Sequence, residues 1–148
     1  TTGAQVDALA RAPLWQHNLD YAHGAGHGVG CYLSVHEEAA SISPRGQDPI
    51  KEGMILSNEP GYYKEGAYGI RIENLVLAID GGVCDATGKK MLAFETITFA
   101  PMDLNLVDFS LLSGEERNWL ENYHQKVFSK LEQYLDRETK DWLAKRMR

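Results

Sequence analysis

Gly69-Ile70-Arg71-Ile72-Glu73-Asn74-Leu75-Val76-Leu77-Ala78-Ile79-Asp80 is the stretch whose reading decides the fold. Aliphatic residues dominate it, and Ile70-Arg71-Ile72-Glu73 alternates with the two-residue period of a pleated strand. That period puts both isoleucines on one face and sets Arg71 beside Glu73 on the other. Asp80-Gly81-Gly82 reads as the turn that closes the strand. Residues 92–99, with Thr96, Ile97, Thr98 and Phe99 favouring pleated structure, read as its neighbour. Upstream, residues 54–59 read as a shorter strand stopped by Pro60, which has no N–H to extend a ladder. Residues 43–53, with Pro44, Gly46 and Pro49, read as a polar loop, and residues 31–36 as extended.

Helical signals flank these strands. Residues 4–15 are expected to form a helix with Val6, Leu9 and Ala10 on one face and Pro13 disturbing its end. After Pro101 the composition turns helical again. Ser113-Gly114-Glu115-Glu116 is a capping box: the serine oxygen takes the amide at the third helical position and Glu116 reaches back. Trp119, Tyr123, Val127 and Leu131 then recur every four residues as an apolar stripe. A further helix is predicted over residues 137–146, with Trp142 and Leu143 inward and Lys145 and Arg146 at the negative end of its dipole. One helix, several mostly antiparallel strands and then helices make an α+β chain with helices packed on one sheet face.

A chain of 148 residues fits one domain with a sizeable core. Lys and Arg number 15 against 21 Asp and Glu, a net charge of −6, and no basic cluster offers itself to a phosphate backbone. No nucleic acid partner is expected. The apolar runs are too short to span a bilayer and no signal-peptide pattern opens the chain, so no membrane partner is expected either. Cys31 and Cys84 make neither a metal-type pair nor a disulfide framework, which fits a reducing cytoplasm. Thr1-Thr2-Gly3 opens like the interior of a longer polypeptide.

The chemistry concentrates between residues 23 and 73. His23-Gly24-Ala25-Gly26-His27-Gly28-Val29-Gly30 is followed by Val35-His36-Glu37, Asn58-Glu59-Pro60-Gly61-Tyr62-Tyr63 and then Arg71 and Glu73. Histidines and carboxylates set among glycine, proline and β-forming residues read as a metal site built from strands and tight loops. One imidazole with several carboxylate oxygens suits Mn²⁺, with Zn²⁺ and Co²⁺ as alternatives. Glycines on both sides of His27 let its backbone approach a cation closely. Glu59 stands at a strand end beside a rigid turn. Against this, a lone turn histidine is usually satisfied locally, and Arg71 with Glu73 on a solvated face would be an ordinary ion pair. The glycines at 24, 26, 28 and 30 miss the G-x-G-x-x-G spacing, which argues against a dinucleotide loop. Cys31 lacks a thiol-protease signature and reads as a small buried residue. His17 and His124 have no motif around them and read as surface residues.

Three blocks in order, HGAGHGVGCYLSVHE (23–37), SNEPGYYKEGAYGIRIENLV (57–76) and FETITFAPMDLNLVD (94–108), carry a resemblance over nearly the whole chain. They resemble the longer, cytosolic type of Xaa-Pro aminopeptidase (aminopeptidase P), in the family that also holds prolidase, methionine aminopeptidase and creatinase. The resemblance implies the C-terminal half of a pita-bread fold, a curved, mainly antiparallel sheet backed by helices. Residues 1–101 would be the C-terminal part of the metallopeptidase catalytic domain and residues 102–148 a helical extension.

The same resemblance implies roles. His27, Glu59 and Glu73 would be metal ligands for two divalent cations, with Glu59 also the candidate general base. His36 would donate to the scissile carbonyl and its oxyanion, and His23 would line the pocket on the leaving-peptide side. Arg71 would hold a carboxylate ligand, with Tyr63 hydrogen-bonded nearby. The implied substrates are peptides with proline in second position, from which the N-terminal residue is released. The family's two upstream metal-binding aspartates have no counterpart, since only Asp7 and Asp20 precede His23 and neither stands in that motif. The chain is therefore expected to be an inactive fragment whose exposed sheet edges and apolar surface favour self-association. The alternatives are a prolidase-type dipeptidase, and a non-catalytic fragment or binding module of the same fold. A homodimer through the C-terminal helices would use Trp119, Tyr123 and Trp142, for which core packing is the other reading.

Overall fold

The computed structural model describes residues 1–30, 32, 34–37 and 40–147. The expectation for Cys31 lies outside the described residues, as does part of that for residues 31–36, of which Tyr32, Val35 and His36 lie in bends and Ser34 is irregular. The chain forms two compact units, Thr1–Thr98 and Phe99–Arg148.

In the first unit, helix α1 (Gly3–Trp15) starts at Thr2, whose N–H donates to Gln5 Oε1 at 2.8 Å. Pro13 lies inside the helix without ending it. The inward face differs from the apolar reading: Asp7 and Arg11 are buried, Val6 and Ala10 pack against the core, and Leu9 is 75% exposed. Asp7 and Arg11, one turn apart, neutralise each other at 2.7 Å and take the face that Leu9 was expected to share.

Among the described residues, seven strands follow: β1 (Gly26–His27), β2 (Ser41–Ile42), β3 (Ile55–Asn58), β4 (Gly61–Lys64), β5 (Tyr68–Arg71), β6 (Asn74–Val83) and β7 (Lys90–Thr96). All pairings are antiparallel: β1 with β2, β4 with β5, and β6 between β3 and β7. The single strand expected over 69–80 is thus two. Its first part pairs with β4 and its second with β3 and β7, and the chain breaks at Ile72-Glu73 to change partners. Asp80-Gly81-Gly82 is not the closing turn. There β6 carries an irregularity, with Gly82 at φ +84°, and the reversal comes at residues 84–88 instead. The core gathers Ala25, Ala40, Ile42, Ile50, Leu56, Val76 and Ala78, with Val6, Ala10 and Met54 against it. In the three-stranded sheet β7 is an edge, and its Met91, Leu92 and Phe94 are exposed.

The second unit holds α2 (Gly114–Leu131) and α3 (Arg137–Arg146). The capping box forms as read: Ser113 N–H donates to Glu116 Oε2 at 2.8 Å and Glu116 N–H to Ser113 Oγ at 3.2 Å. The buried stripe of α2 is Leu120, Tyr123, His124 and Val127, which corrects the register that began at Trp119. Trp119 is exposed and stacks on Tyr123, with centroids 5.4 Å apart. On α3, Leu143 is inward as expected, but Trp142 is 55% exposed under the Arg146 guanidinium. His124 is buried, not a surface residue, and its Nε2 accepts the Met102 N–H at 3.1 Å.

Candidate metal centre

The site grows from the contact between β1 and β3. Gly26 permits that contact, because a Cβ there would lie 2.1 Å from the Ser57 carbonyl oxygen. The close approach lets His27 N–H donate to Ser57 Oγ at 2.9 Å, and Ser57 Oγ donates in turn to Glu59 Oε1 at 3.0 Å. Glu59 follows the end of β3, where its N–H donates to Ala25 O at 2.7 Å and its side chain is buried. Ser57 and Glu59 share a strand face through the two-residue period.

His27 Nδ1 lies 2.9 Å from Gly28 O, which assigns the ring proton to Nδ1 and the lone pair to Nε2. That Nε2 stands 3.0 Å from Glu59 Oε1. A neutral imidazole lone pair and a carboxylate oxygen this close repel unless a proton or cation is shared between them. His36 joins the pair, its ring centroid 3.9 Å from that of His27. One donor atom from each of His27, His36 and Glu59 falls within 4.8 Å of the others. An imidazole lone pair facing a carboxylate oxygen, with a second imidazole beside them, is an arrangement suited to a divalent transition metal, and on this observation His27 and Glu59 fit one.

Arg71, at the end of β5, spans two carboxylates: Nη1 is 3.5 Å from Glu59 Oε2 and Nε is 3.4 Å from Glu73 Oε2. His23 stacks on Tyr63 with centroids 5.3 Å apart, and its Nδ1 lies 2.7 Å from Gly24 O. Among the described residues, its buried Nε2 has no hydrogen-bond partner. His23, His27, His36, Glu59, Tyr63 and Arg71 all line one cavity of about 860 Å³, together with Arg11 and Asp20. Glu73 does not line this cavity and reaches the cluster through Arg71.

Two residues of the site were not read from the sequence. Ser57 was discoverable, because it lies two positions before Glu59 on the same strand face. Arg11 left a fainter signal, an i, i+4 pair with Asp7 on a helix whose other inward residues are apolar. Its guanidinium holds the Asp20 carboxyl below the ordinary carboxylate range, while burial pushes the Tyr21 phenol up.

Comparison with known proteins gives consistent matches. The sequence model of metallopeptidase family M24 matches residues 1–80, and that of the C-terminal region of peptidase M24 matches residues 90–148. A probable Xaa-Pro aminopeptidase P of Coccidioides posadasii is 45% identical over 98% of this chain and 25% of that protein. One from Laccaria bicolor is 46% identical over 98% of this chain and 24% of that protein. Among solved structures, the X-prolyl aminopeptidase of Caenorhabditis elegans, described as a cytosolic enzyme with a di-nuclear active site, matches at a TM-score of 0.90. It is 37% identical and covers 100% of this chain, which covers 25% of it. The expected mixed α+β architecture, a portion of the pita-bread fold, is therefore borne out. The chain spans about a quarter of the length of the curated relatives it matches.

Proposed function

The chain belongs to metallopeptidase family M24, and from that premise we propose that it forms part of an enzyme releasing the N-terminal residue from peptides with proline in second position. The observation that carries this reading is the 3.0 Å approach of His27 Nε2 to Glu59 Oε1, on the wall of a cavity that His36, His23 and Tyr63 also line. The relatives' names supply the substrate class.

His27 and Glu59 are the donors for divalent metal, with Glu73 as the further carboxylate that Arg71 ties to Glu59. We assign two cations, Mn²⁺ ahead of Zn²⁺ or Co²⁺; when bound they supply Lewis acidity and lower the pKa of a coordinated water. The protein's own groups do the rest. Glu59 takes the proton from the attacking water. His36 donates to the scissile carbonyl oxygen and to the charge that develops on it. His23 lines the leaving-peptide side of the cavity. Arg71 offsets the repulsion between Glu59 and Glu73, and the Tyr63 ring holds His23 by stacking. The bond before proline is a tertiary amide, so the pocket must take a ring where other substrates present an N–H.

Asp7 and Asp20 do not supply further donors, since Arg11 engages both. Activity is accordingly assigned to a polypeptide of the relatives' length, with these 148 residues inactive alone. No helix among the described residues is long and apolar enough to cross a membrane, and we place the enzyme in the cytosol like its nematode relative. Exposed Trp119 and Trp142 are the proposed contacts between copies. Parallel assays on an Xaa-Pro-Yaa tripeptide and an Xaa-Pro dipeptide test the assignment. Cleavage of the tripeptide is expected; cleavage of the dipeptide alone would make the enzyme a prolidase.

A further inference from the structure

Among the charged groups on the cavity wall that the proposed chemistry does not use is the buried guanidinium of Arg11. Its Nε donates to Asp7 Oδ2 at 2.7 Å. Its Nη1 donates to Asp20 Oδ1 at 2.7 Å and to Tyr21 O at 2.8 Å, and its Nη2 to His23 O at 2.6 Å. Four of five N–H donors are thus committed, three of them to a four-residue stretch of irregular backbone. The Tyr21 ring covers the same guanidinium at 5.6 Å.

Residues 20–23 belong to no helix or strand. Among the described residues, the tertiary hydrogen bonds of their carbonyls come from Arg11. An apolar pair on this face of α1 would avoid the cost of desolvating two charges, so a buried Arg–Asp pair is poorly explained by stability alone. A planar fork with fixed donor directions does supply geometry. At the end of the gripped stretch stands His23, stacked on Tyr63, with its Nε2 beside Gly61, where a Cβ would approach it to 2.8 Å.

We propose that Arg11, oriented by Asp7, is a positioning residue: it clamps Asp20, Tyr21 and His23 so that the His23 imidazole is held against Tyr63 at the cavity wall. Asp7 aims the fork, Asp20 closes its outer end, and the His23 carbonyl is the point at which the clamp sets the ring. The consequence for catalysis rests on the peptidase reading; the clamp itself does not.

The test uses isotope-labelled 148-residue chain. It follows the ring-to-ring nuclear Overhauser contact between His23 and Tyr63 and the imidazole resonances of His23, His27 and His36. Asp20→Ala cuts the outer, half-exposed end and leaves the buried Asp7–Arg11 pair intact. The expected result is loss of the His23–Tyr63 contact and a shift of the His23 resonances alone. Asp20→Asn keeps the Oδ1 acceptor and is expected to restore both. Arg11→Lys keeps the charge without the fork and is expected to behave like Asp20→Ala. Persistence of the His23–Tyr63 contact in Asp20→Ala would overturn the proposal, whatever happens to the unfolding midpoint. A common shift of all three histidines, or global unfolding of Asp20→Ala, would also overturn it by showing a purely structural role. In the longer polypeptide, Asp20→Ala is expected to raise KM for Xaa-Pro-Yaa several-fold with little change in kcat. Absence of any peptidase activity would count against the function and leave the spectroscopic result standing.

Discussion

Ser57 Oγ donates to Glu59 Oε1 at 3.0 Å while accepting the His27 N–H at 2.9 Å, so a single buried hydroxyl joins the two residues at the heart of the candidate metal centre. Ser57→Ala leaves that N–H without its acceptor and the carboxylate short of a donor. We expect a loss of about 1–3 kcal/mol in unfolding free energy by denaturant titration. In the metal-competent polypeptide, cation affinity should fall by about 10–100-fold, read by calorimetry. An unchanged affinity would show that Ser57 does not orient the donors.

The approach of β1 to β3 depends on Gly26. Its substitution by alanine places a methyl group 2.1 Å from the Ser57 carbonyl oxygen, and backbone must move to admit it. A destabilisation of about 1–3 kcal/mol or more is expected, of the kind that overpacking produces. Wild-type stability in Gly26→Ala would mean that the strands are not held this tightly.

Leu56 is fully buried beside Val76, its partner across the β3–β6 ladder. Leu56→Ala should cost about 2–5 kcal/mol, and by disturbing the strand that carries Ser57 it should also weaken the site. Equilibrium unfolding monitored by circular dichroism measures the first effect.

The second unit should lose stability in mild acid. Burial lowers the His124 pKa from its ordinary value of 6.5, against an opposing backbone hydrogen bond to Met147. The folded state therefore binds fewer protons than the unfolded state in that window, and stability rises with pH there. His124 imposes no penalty above its ordinary pKa, and a growing one as pH falls below it. The capping carboxylates Glu116 and Asp136, also held low, act in a separate window below their ordinary values of 4.5 and 3.8. Tryptophan fluorescence of unfolding at several pH values checks this; stability that rises from pH 7 to pH 5 would contradict it.

Divalent cation should stabilise the metal-competent polypeptide, because ligand that binds only the folded state raises its free energy of unfolding. Chelation should reverse the gain and His27→Ala should abolish most of it, as thermal unfolding in the presence and absence of Mn²⁺ would reveal.

Much of this was legible residue by residue. Glycines around His27, a carboxylate before Pro60 and the capping box at Ser113 are local signals, and local physics realises them. The break at Ile72-Glu73 was not legible. Both halves of that run have strand-forming composition, and only the availability of two different partner strands divides them. The same holds for Leu9, Trp119 and Trp142, apolar side chains assigned inward by periodicity and left exposed. Periodicity defines a face to within one residue, whereas the buried face is chosen by whatever packs against it.

By itself, then, the amino-acid order determined the helices, most of the strands and the helix start at Ser113, because these follow from torsional preference and capping. Only the tertiary structure decided that Ser57 joins His27 to Glu59, that Arg71 spans Glu59 and Glu73, and that Arg11 grips the backbone before His23. Each of these contacts brings together residues from different elements. Their meeting depends on how strands and helix close around the core, which no short window of sequence encodes.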